Sequence, residues 1–405
     1  MRRRDFLKLF GGATVFAFTA RAEQTQAIDA TLLSAVERGE IPGVVAMAAD
    51  RSRVIYQGAF GMADIAESRP MQLDALFRIA SMTKPVTAVG GMQLIEQGRL
   101  ALDDPAAKFF PEFAKPMMLE SFDAATGAYK LRPATKPVTV RHLFTHTSGL
   151  GYRFTSPILR NFKSRAGDPA HPLLFEPGEQ WMYGTSTDWL GRIVEMLSGL
   201  SLEEYFRRRI FAPLKMVDTF YEVPQAKRTR LVAAHRREGN GSVAKLPVQP
   251  RPEGFSQPVG GGGLTSTASD YLRFSRMLLN GGELDGARVL AARSVETMAQ
   301  NQIGGVGVRA LRSMSPTVSK DFSFIADGRD KWGLGFLITV DAVPGKRSAG
   351  SLSWGGVNNT YFWVDRASGI AGVIMMQFLP FADRKALSLY DSFERSVYRL
   401  ANSTR

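Results

Sequence analysis

Alternating apolar residues near the two ends of the chain constrain its fold more than any other feature of the sequence. Val44–Ala48 and Val54–Gln57 predict two strands joined by a polar turn at Asp50–Ser52. Four stretches near the other end also predict strands: Gly335–Val340, Ser348–Trp354, Thr360–Asp365 and Ile370–Gln377. The residues between these two regions have a mainly helical pattern. We therefore predict an α+β fold in which both ends of the chain build one antiparallel sheet, flanked by helices and joined to a mostly helical lobe.

Three helices are bounded by recognisable end signals. The first, Pro85–Gln97, has a proline in its first turn, ends at Gly98 and carries recurring apolar residues on one face. Thr267 and Asp270 have the spacing of a capping box, which predicts a second helix after them. Arg384–Ala401 is amphipathic and predicts a third. A cleft is expected where the helical lobe meets the sheet.

The strongest chemical signal is Ser81-Met-Thr-Lys84, which lies directly before the first predicted helix. Residues three apart on a helix are neighbours, so Lys84 can reach the Ser81 hydroxyl. A serine hydroxyl needs a base before it acts as a nucleophile, and a lysine serves as that base only when its environment lowers its affinity for protons. The spacing predicts Ser81 as a nucleophile and Lys84 as its partner.

A second copy of the same spacing, Ser242-Val-Ala-Lys245, precedes a proline-rich stretch that cannot continue a helix. The tetrad therefore also occurs by chance, and only the surrounding pattern selects Ser81. The chain contains no Gly-x-Ser-x-Gly elbow and few histidines, which argues against a Ser-His-Asp enzyme of the α/β-hydrolase type.

Tyr183 precedes another predicted helix, where Thr185 and Asp188 have the spacing of a capping box. From this loop its phenol can relay a proton between Ser81, Lys84 and a leaving group. A half-buried structural tyrosine is the alternative.

Trp354-Gly355-Gly356 ends a predicted strand near the C-terminus. Two glycines in a strand usually mark close approach by another backbone or a ligand. Such an edge can bind an extended acyl substrate and supply an amide to an oxyanion hole. The alternative interpretation is a simple bulge.

The order of these segments resembles that of the serine β-lactamase and penicillin-binding family. Four more segments are similar to its class C β-lactamase and esterase branch: Val138–Leu150, Phe175–Gly178, Gly261–Ser266 and Trp332–Gly335. The resemblance covers essentially the whole chain after its N-terminal segment. It implies a β-lactamase/transpeptidase-like fold and no cofactor.

The resemblance also implies residue roles. Ser81 would form the acyl-enzyme, and Lys84 and Tyr183 together would act as general base and then general acid. The backbone amides of Ser81 and Val357 would form the oxyanion hole, and His146 would be structural.

Two positions depart from the β-lactamase pattern. Thr185 stands where the family's Tyr-x-Asn motif has asparagine, and Trp354-Gly355-Gly356 stands where the β-lactamases have Lys-Thr-Gly. A tryptophan offers a large apolar face and one donor, and it cannot make a charge-assisted bond to a substrate carboxylate. This form looks like that of the family VIII carboxylesterases.

These departures favour a serine hydrolase that cleaves short-chain carboxylic esters. A β-lactamase or D-alanyl-D-alanine carboxypeptidase is the alternative, with Lys346 or Arg347 supplying the missing cation. A peptidoglycan-binding relative without catalysis is a third possibility, against which the intact Ser81, Lys84 and Tyr183 argue.

Residues 1–22 predict a twin-arginine signal peptide. Arg3-Arg4-Asp5-Phe6-Leu7-Lys8 is followed by an apolar stretch too short to span a bilayer and by a small-residue site at Ala20-Arg21-Ala22. We expect cleavage after Ala22, a mature hydrolase domain at 23–405, a periplasmic location and no stable membrane anchor after cleavage.

Composition excludes several other chemistries. The chain has no cysteine, which rules out disulfides, thiolate metal sites and a cysteine nucleophile. His142 and His146 lie four residues apart without a carboxylate between them, so no metal site is expected. The formal net charge is +13, but the basic residues are scattered and no nucleic-acid motif accompanies them. The expected partner is a small ester or β-lactam, and the oligomeric state stays open.

Overall fold

The computed structural model describes residues 21–247, 258–323 and 328–403. Seventeen strands lie within these residues. They are β1 (Gly43–Asp50), β2 (Val54–Asp64), β3 (Arg69–Pro70), β4 (Phe77–Arg78), β5 (Met117–Phe122), β6 (Tyr129–Pro133), β7 (His235–Arg237), β8 (Val243–Lys245), β9 (Thr265–Ser266), β10 (Glu283–Leu284), β11 (Ala287–Arg288), β12 (Lys331–Trp332), β13 (Leu337–Ile338), β14 (Leu352–Gly356), β15 (Thr360–Asp365), β16 (Ile370–Met375) and β17 (Phe378–Leu379).

The helices of the same residues are α1 (which includes 21–37), α2 (Thr83–Glu96), α3 (Val140–Thr145), α4 (Pro157–Asn161), α5 (Ser186–Ser198), α6 (Leu202–Phe206), α7 (Ala268–Leu279), α8 (Ala292–Ala299) and α9 (Arg384–Asn402). Among these described helices, none is long and apolar enough to cross a bilayer. The signal peptide predicted for residues 1–22 lies outside the described residues except for its last two.

Both ends of the chain build the main sheet, as the sequence predicts. Its strand order is β12-β13-β14-β15-β16-β1-β2-β3, and every neighbouring pair is antiparallel. The two ends meet where β1 pairs with β16, with Val45 opposite Met375. The predicted α+β fold of the β-lactamase/transpeptidase type is therefore confirmed.

The sheet is buried on both faces, which explains the nearly unbroken apolar run in β1. Val44, Ala46 and Ala48 belong to the core shared with α1 and α9. Val45 and Met47 alternate to the other side and belong to the larger core shared with the helical lobe. The sheet thus separates a terminal helical layer from the lobe that carries the site.

Three predicted strands are shorter than their patterns suggest, among them Ile370–Gln377, where β16 ends at Met375. Gly335 has a φ of +91°, which is outside the strand region, and β13 pairs over only two residues. Ser348–Ser351 forms a turn around Gly350, whose φ is +81°, so β14 begins at Leu352 and extends to Gly356. β15 and the final helix match their predicted positions.

The helix after Lys84 is buried on all sides, although apolar residues recur on one of its faces. α2 is buried over every residue from Thr83 to Leu94, because it lies between the sheet and the other helices of the lobe. Paired glycines admit this packing: a Cβ at Gly91 would lie 2.7 Å from the Phe144 ring, and one at Gly90 would lie 3.2 Å from Phe206. A helix that is surrounded by protein has no solvent-exposed face, so its sequence does not need a polar face opposite the apolar one.

Candidate active site

Ser81 lies in a tight turn between a short strand and a long helix. β4 is hydrogen-bonded to β9, and the next residue, Ile79, donates its N–H to the Leu264 carbonyl at 3.0 Å. Ala80 then has a φ of +45°, in a region that residues with a Cβ rarely adopt. A 3-10 turn over Ala80–Met82 leads into α2. The surrounding structure thus imposes a strained conformation directly before the candidate nucleophile, as is common at functional sites.

Lys84 lies in the first turn of α2, and its side chain points back to Ser81. Its Nζ lies 3.3 Å from Ser81 Oγ and donates a hydrogen bond to the Gly261 carbonyl at 2.7 Å. The side chain is only 1% exposed. Nζ also lies 4.7 Å from the centre of the Tyr183 ring and 5.4 Å from that of Tyr152. The structure therefore brings Ser81, Lys84 and Tyr183 together, as the spacing predicts.

The surroundings of Lys84 keep its ammonium charged. Burial alone would lower the pKa of Lys84, but Tyr152, Tyr183 and Asp188 act on the charge and raise that pKa above its ordinary value. A charged lysine is a hydrogen-bond donor and has no lone pair to accept a proton. In the resting site Lys84 therefore donates a hydrogen bond to Ser81 Oγ.

Tyr183 lies just before α5, and its ring is enclosed by other aromatic rings. Its ring centre is 5.0 Å from those of His146 and Trp354 and 5.3 Å from that of Tyr152. The Tyr183 hydroxyl is buried and interacts with the Lys84 ammonium. This position allows it to exchange a proton with groups beside Lys84.

Sequence reasoning missed Tyr152 as a member of this cluster. Its only signal was its place two residues beyond the Val138–Leu150 segment. It stacks on Phe154 at 4.9 Å and borders the charged end of Lys84. Burial raises the pKa of Tyr152, so its hydroxyl stays neutral at ordinary pH.

The predicted capping box at the start of α5 does not form. Thr185 makes no side-chain cap hydrogen bond there, because the Asp188 N–H donates to the Thr185 carbonyl at 2.9 Å. Asp188 Oδ1 instead accepts the Gly261 N–H at 2.6 Å, on the same peptide segment whose carbonyl binds Lys84. The box predicted at Thr267 is half formed: Thr267 accepts the Asp270 N–H, while the Asp270 carboxylate accepts from the Asp218 amide.

The Trp354-Gly355-Gly356 strand forms the wall opposite Ser81. Trp354 is 2% exposed and packs its ring 4.6 Å from that of Trp332. A Cβ at Gly356 would lie 2.2 Å from the Ile79 carbonyl oxygen, so glycine is required where β14 crosses the turn that carries Ser81. The predicted close backbone approach is therefore present.

A narrow cleft of about 40 Å³ joins these residues. Ser81, Tyr183, Trp354, Gly355 and Val357 all line it. Each member of the predicted set therefore borders the cleft, apart from Lys84, which lies beneath Ser81, and Gly356, which packs on the turn.

Three segments that are far apart in the chain complete the lining of the cleft. Leu311, Phe154 and Phe381 give it apolar walls, and Arg312 and Lys320 also border it. Backbone hydrogen bonds fix this cover: the Met314 N–H donates to Phe154, and Lys320 and Phe381 are linked through their backbones. An acyl group entering the cleft would therefore meet mainly apolar surface.

Lys346 and Arg347 do not supply the cation missing from the strand. Arg347 is buried and donates to both carboxylate oxygens of Glu394 on α9, at 2.7 and 2.8 Å. Lys346 pairs with Asp391 and Glu394 on the same helix. Because α9 covers the sheet face away from Ser81, both cations lie on that face and form ion pairs with α9.

The second Ser-x-x-Lys copy is confirmed as a chance match. Ser242 lies in a turn and bonds to Asn240, and Lys245 lies in β8, where it pairs with Asp64 at 2.6 Å. Lys245 therefore serves an ion pair and does not activate a hydroxyl.

The histidines have separate positions. His142 completes a capping box with Thr139, whereas His146 is buried against the Tyr183 ring. Burial, and then the charge of Lys84, lower the pKa of His146 well below its ordinary value, so it stays neutral. Over residues 21–247, 258–323 and 328–403, no cluster of three His, Asp or Glu side chains could hold a metal.

Known proteins share this fold and much of this sequence. The family named Beta-lactamase matches residues 28–392. A lovastatin esterase of Penicillium rubens is 31% identical over 92% of this chain and 98% of its own, and the acyltransferase calJ of Penicillium decumbens is 32% identical over 81% and 82%. A simvastatin synthase variant from Aspergillus terreus superposes with a TM-score of 0.79 at 28% identity, over 94% of this chain and 98% of that one. The chain is therefore an enzyme of the β-lactamase family.

Proposed function

We propose that this enzyme hydrolyses short-chain carboxylic esters through an acyl-enzyme on Ser81. The observation that carries the proposal is the buried pair of Lys84 Nζ and Ser81 Oγ, 3.3 Å apart, at the foot of a cleft that Tyr183 also lines. A hydroxyl held in this way, on a strained turn at a helix start, has the features of an activated nucleophile.

Tyr183 is the proposed proton acceptor, because Lys84 is already protonated. In the first step Ser81 Oγ bonds to the ester carbonyl carbon, its proton passes to the Tyr183 oxygen, and the proton of the Tyr183 hydroxyl passes to the alcohol oxygen of the ester. The bond between that oxygen and the carbonyl carbon then breaks, and the alcohol leaves. Water repeats the sequence on the acyl-enzyme: its proton passes through Tyr183 to Ser81 Oγ, and the acid is released. The Lys84 ammonium stabilises the negative charge that develops on the reacting oxygens.

The developing oxyanion needs donors on the other side of the carbonyl. The backbone N–H groups of Ser81 and Val357 are the proposed pair, since both residues border the cleft. The approach of Gly356 to Ile79 supports this role, because it fixes the strand next to the turn that carries Ser81. Donors fixed before the reaction need no reorganisation as charge develops.

An uncharged, short acyl group fits the walls better than a β-lactam carboxylate. Trp354, Phe154, Leu311 and Phe381 form apolar surface, and the strand has no lysine at the Trp354 position. Two cations, Arg312 and Lys320, also border the cleft, and Arg312 is paired with Asp321. The lovastatin esterase among its relatives also supports ester chemistry. Transfer of the acyl group to an alcohol in place of water is a second candidate, supported by the acyltransferase calJ and the simvastatin synthase fold.

The test compares kcat/KM for p-nitrophenyl butyrate with that for nitrocefin. The chain offers its own matched control: Ser81→Ala removes the nucleophile, and Ser242→Ala removes the serine of the chance tetrad. Esterase function predicts a ratio far above one, lost in Ser81→Ala and kept in Ser242→Ala. A ratio well below one would assign β-lactam hydrolysis instead. Product analysis with added alcohol separates transfer from hydrolysis.

We also propose that the chain is exported to the periplasm by the twin-arginine route and cleaved after Ala22. Arg3 and Arg4, followed by the apolar stretch and the small-residue site, support this proposal. The intact mass of the mature protein from a periplasmic fraction tests it. A mass that begins at any residue other than Glu23 would contradict the cleavage site.

A further inference from the structure

One peptide segment connects Lys84 to a carboxylate that the proposed reaction does not use. The Gly261 carbonyl accepts a hydrogen bond from Lys84 Nζ at 2.7 Å. The Gly261 N–H donates to Asp188 Oδ1 at 2.6 Å. Lys84 and Asp188 are therefore both hydrogen-bonded to the backbone of Gly261, Lys84 to its carbonyl and Asp188 to its N–H.

This segment is held rigidly between two helices of the lobe. Thr87 on α2 donates to the Gly260 carbonyl at 2.7 Å. On the α5 side, a Cβ at Gly260 would lie 2.2 Å from the Thr187 carbonyl oxygen and 3.0 Å from the Gly191 Cα. A segment packed this closely transmits the position of Asp188 to Lys84 with little freedom to adjust.

The charge of Asp188 also acts on Lys84. Burial raises the pKa of Asp188, and the nearby Lys84 charge counteracts that rise. Asp188 in turn is one of the groups that raise the pKa of Lys84. The other titratable groups that face this pair are Tyr152, Tyr183, Tyr221 and His146. Burial raises the pKa of Tyr152 and of Tyr221 and lowers that of His146, so these three groups are neutral and Asp188 is the carboxylate that faces Lys84.

We propose that Asp188 is a positioning residue that keeps Lys84 charged and directed at Ser81 through the Gly261 peptide. This inference rests on the proposed function of Ser81. It assigns to Asp188 a role in the reaction without contact with the substrate. The capping-box interpretation of the same residue gives it a role only in the start of α5.

Asp188→Asn removes the negative charge but keeps the size of the side chain, and its amide oxygen can still accept the Gly261 N–H. Glu195→Gln is the matched control: Glu195 lies on the same helix and accepts the Leu202 N–H at 2.9 Å. Both variants neutralise a carboxylate that binds a backbone amide, but only one faces Lys84. Thermal unfolding checks that both variants stay folded.

The readout is the rate at which a fluorophosphonate labels Ser81, followed by intact mass from pH 6 to 11. This measurement needs no knowledge of the natural substrate. Removing the counter-charge lowers the affinity of Lys84 for its proton. We expect the alkaline limb of the Asp188→Asn profile to move to lower pH by about one unit, while the labelling rate at neutral pH stays the same. Glu195→Gln should match the wild type.

Gly261→Ala provides an independent variant, since its Cβ would lie 2.6 Å from Asp188 Oδ1 and displace that carboxylate. It should shift the profile in the same direction as Asp188→Asn. If the wild type labels normally and both variants keep its pH profile, the role of Asp188 is refuted while the esterase proposal stands. If the wild type itself does not label at Ser81, both proposals fall.

Discussion

Gly356→Ala is the substitution that tests the construction of the site most directly. The added Cβ would lie 2.2 Å from the Ile79 carbonyl oxygen and 2.4 Å from Thr360 Oγ1, whereas contacts below 3.0 Å are essentially never observed. The Thr360 side chain can rotate, but the Ile79 carbonyl is backbone and lies two residues before Ser81. The strand and the turn must therefore separate by close to 1 Å.

A displacement of this size acts on the reaction more than on the fold. Moving reacting groups by about 1 Å costs on the order of 10²-fold in rate, whereas overpacking at one position costs about 1–3 kcal/mol of unfolding free energy. We expect kcat/KM for p-nitrophenyl butyrate to fall about 100-fold in Gly356→Ala. Urea unfolding should show a protein that is still folded, with a lower midpoint.

Gly305→Ala is the control, because no atom lies within 4 Å of the Cβ it adds and its backbone is not in the left-handed region. It should keep both the activity and the unfolding midpoint of the wild type. If Gly356→Ala retained kcat/KM within about threefold of the wild type, the strand would not be what sets the geometry around Ser81, and the reasoning would fail.

Three further substitutions test separate parts of the structure. Glu394→Gln leaves the buried Arg347 charge without its carboxylate partner and should lower the unfolding free energy by about 3–5 kcal/mol in urea titrations. The kcat of the folded variant should be unchanged. A loss of kcat would place this ion pair in the reaction. Burial lowers the pKa of His142 to about 4, so the folded protein takes up this proton less readily than the unfolded chain and stability falls as the pH drops from about 6.5 towards 4. His142→Gln keeps an acceptor for the Thr139 N–H. Between pH 7 and pH 4 this variant should lose about 2 kcal/mol less unfolding free energy than the wild type. An equal loss in both proteins would show that His142 protonation is not the cause. Leu311→Ala opens the mouth of the cleft and should move the preferred p-nitrophenyl ester to a longer acyl chain, whereas an unchanged chain-length profile would show that Leu311 does not limit the acyl site.

The parts of the site that depend on neighbouring residues could be predicted from the sequence. Ser81 and Lys84 are three residues apart on one helical turn, so their contact follows from local geometry alone. The two glycines of β14 also predicted that another backbone approaches this strand closely, although the sequence did not identify that backbone as Ile79. The hydrophobic alternation was sufficient to assign the ends of the chain to one sheet.

Three features that depend on contacts between distant segments could not be predicted. The Thr185 and Asp188 spacing fits a capping box, but tertiary contact with Gly261 competes for the same carboxylate and prevails. Tyr152 reaches the site only because its loop folds over Lys84, and a single sequence carries no trace of that contact. The all-round burial of α2 likewise has no periodic signature, because periodicity reports a boundary with solvent.

The position of β1 beside β16 determines when this enzyme can become active during its own synthesis. A nascent chain presents Ser81, Lys84 and Tyr183 before β14, which walls the cleft, and before β16, which completes the sheet. Contacts between segments so far apart in the chain form slowly, since loop closure precedes the gain in packing. The proposed site is therefore complete only after β14 and β16 have been synthesised, and a chain truncated before β14 would carry Ser81 without the wall of its cleft.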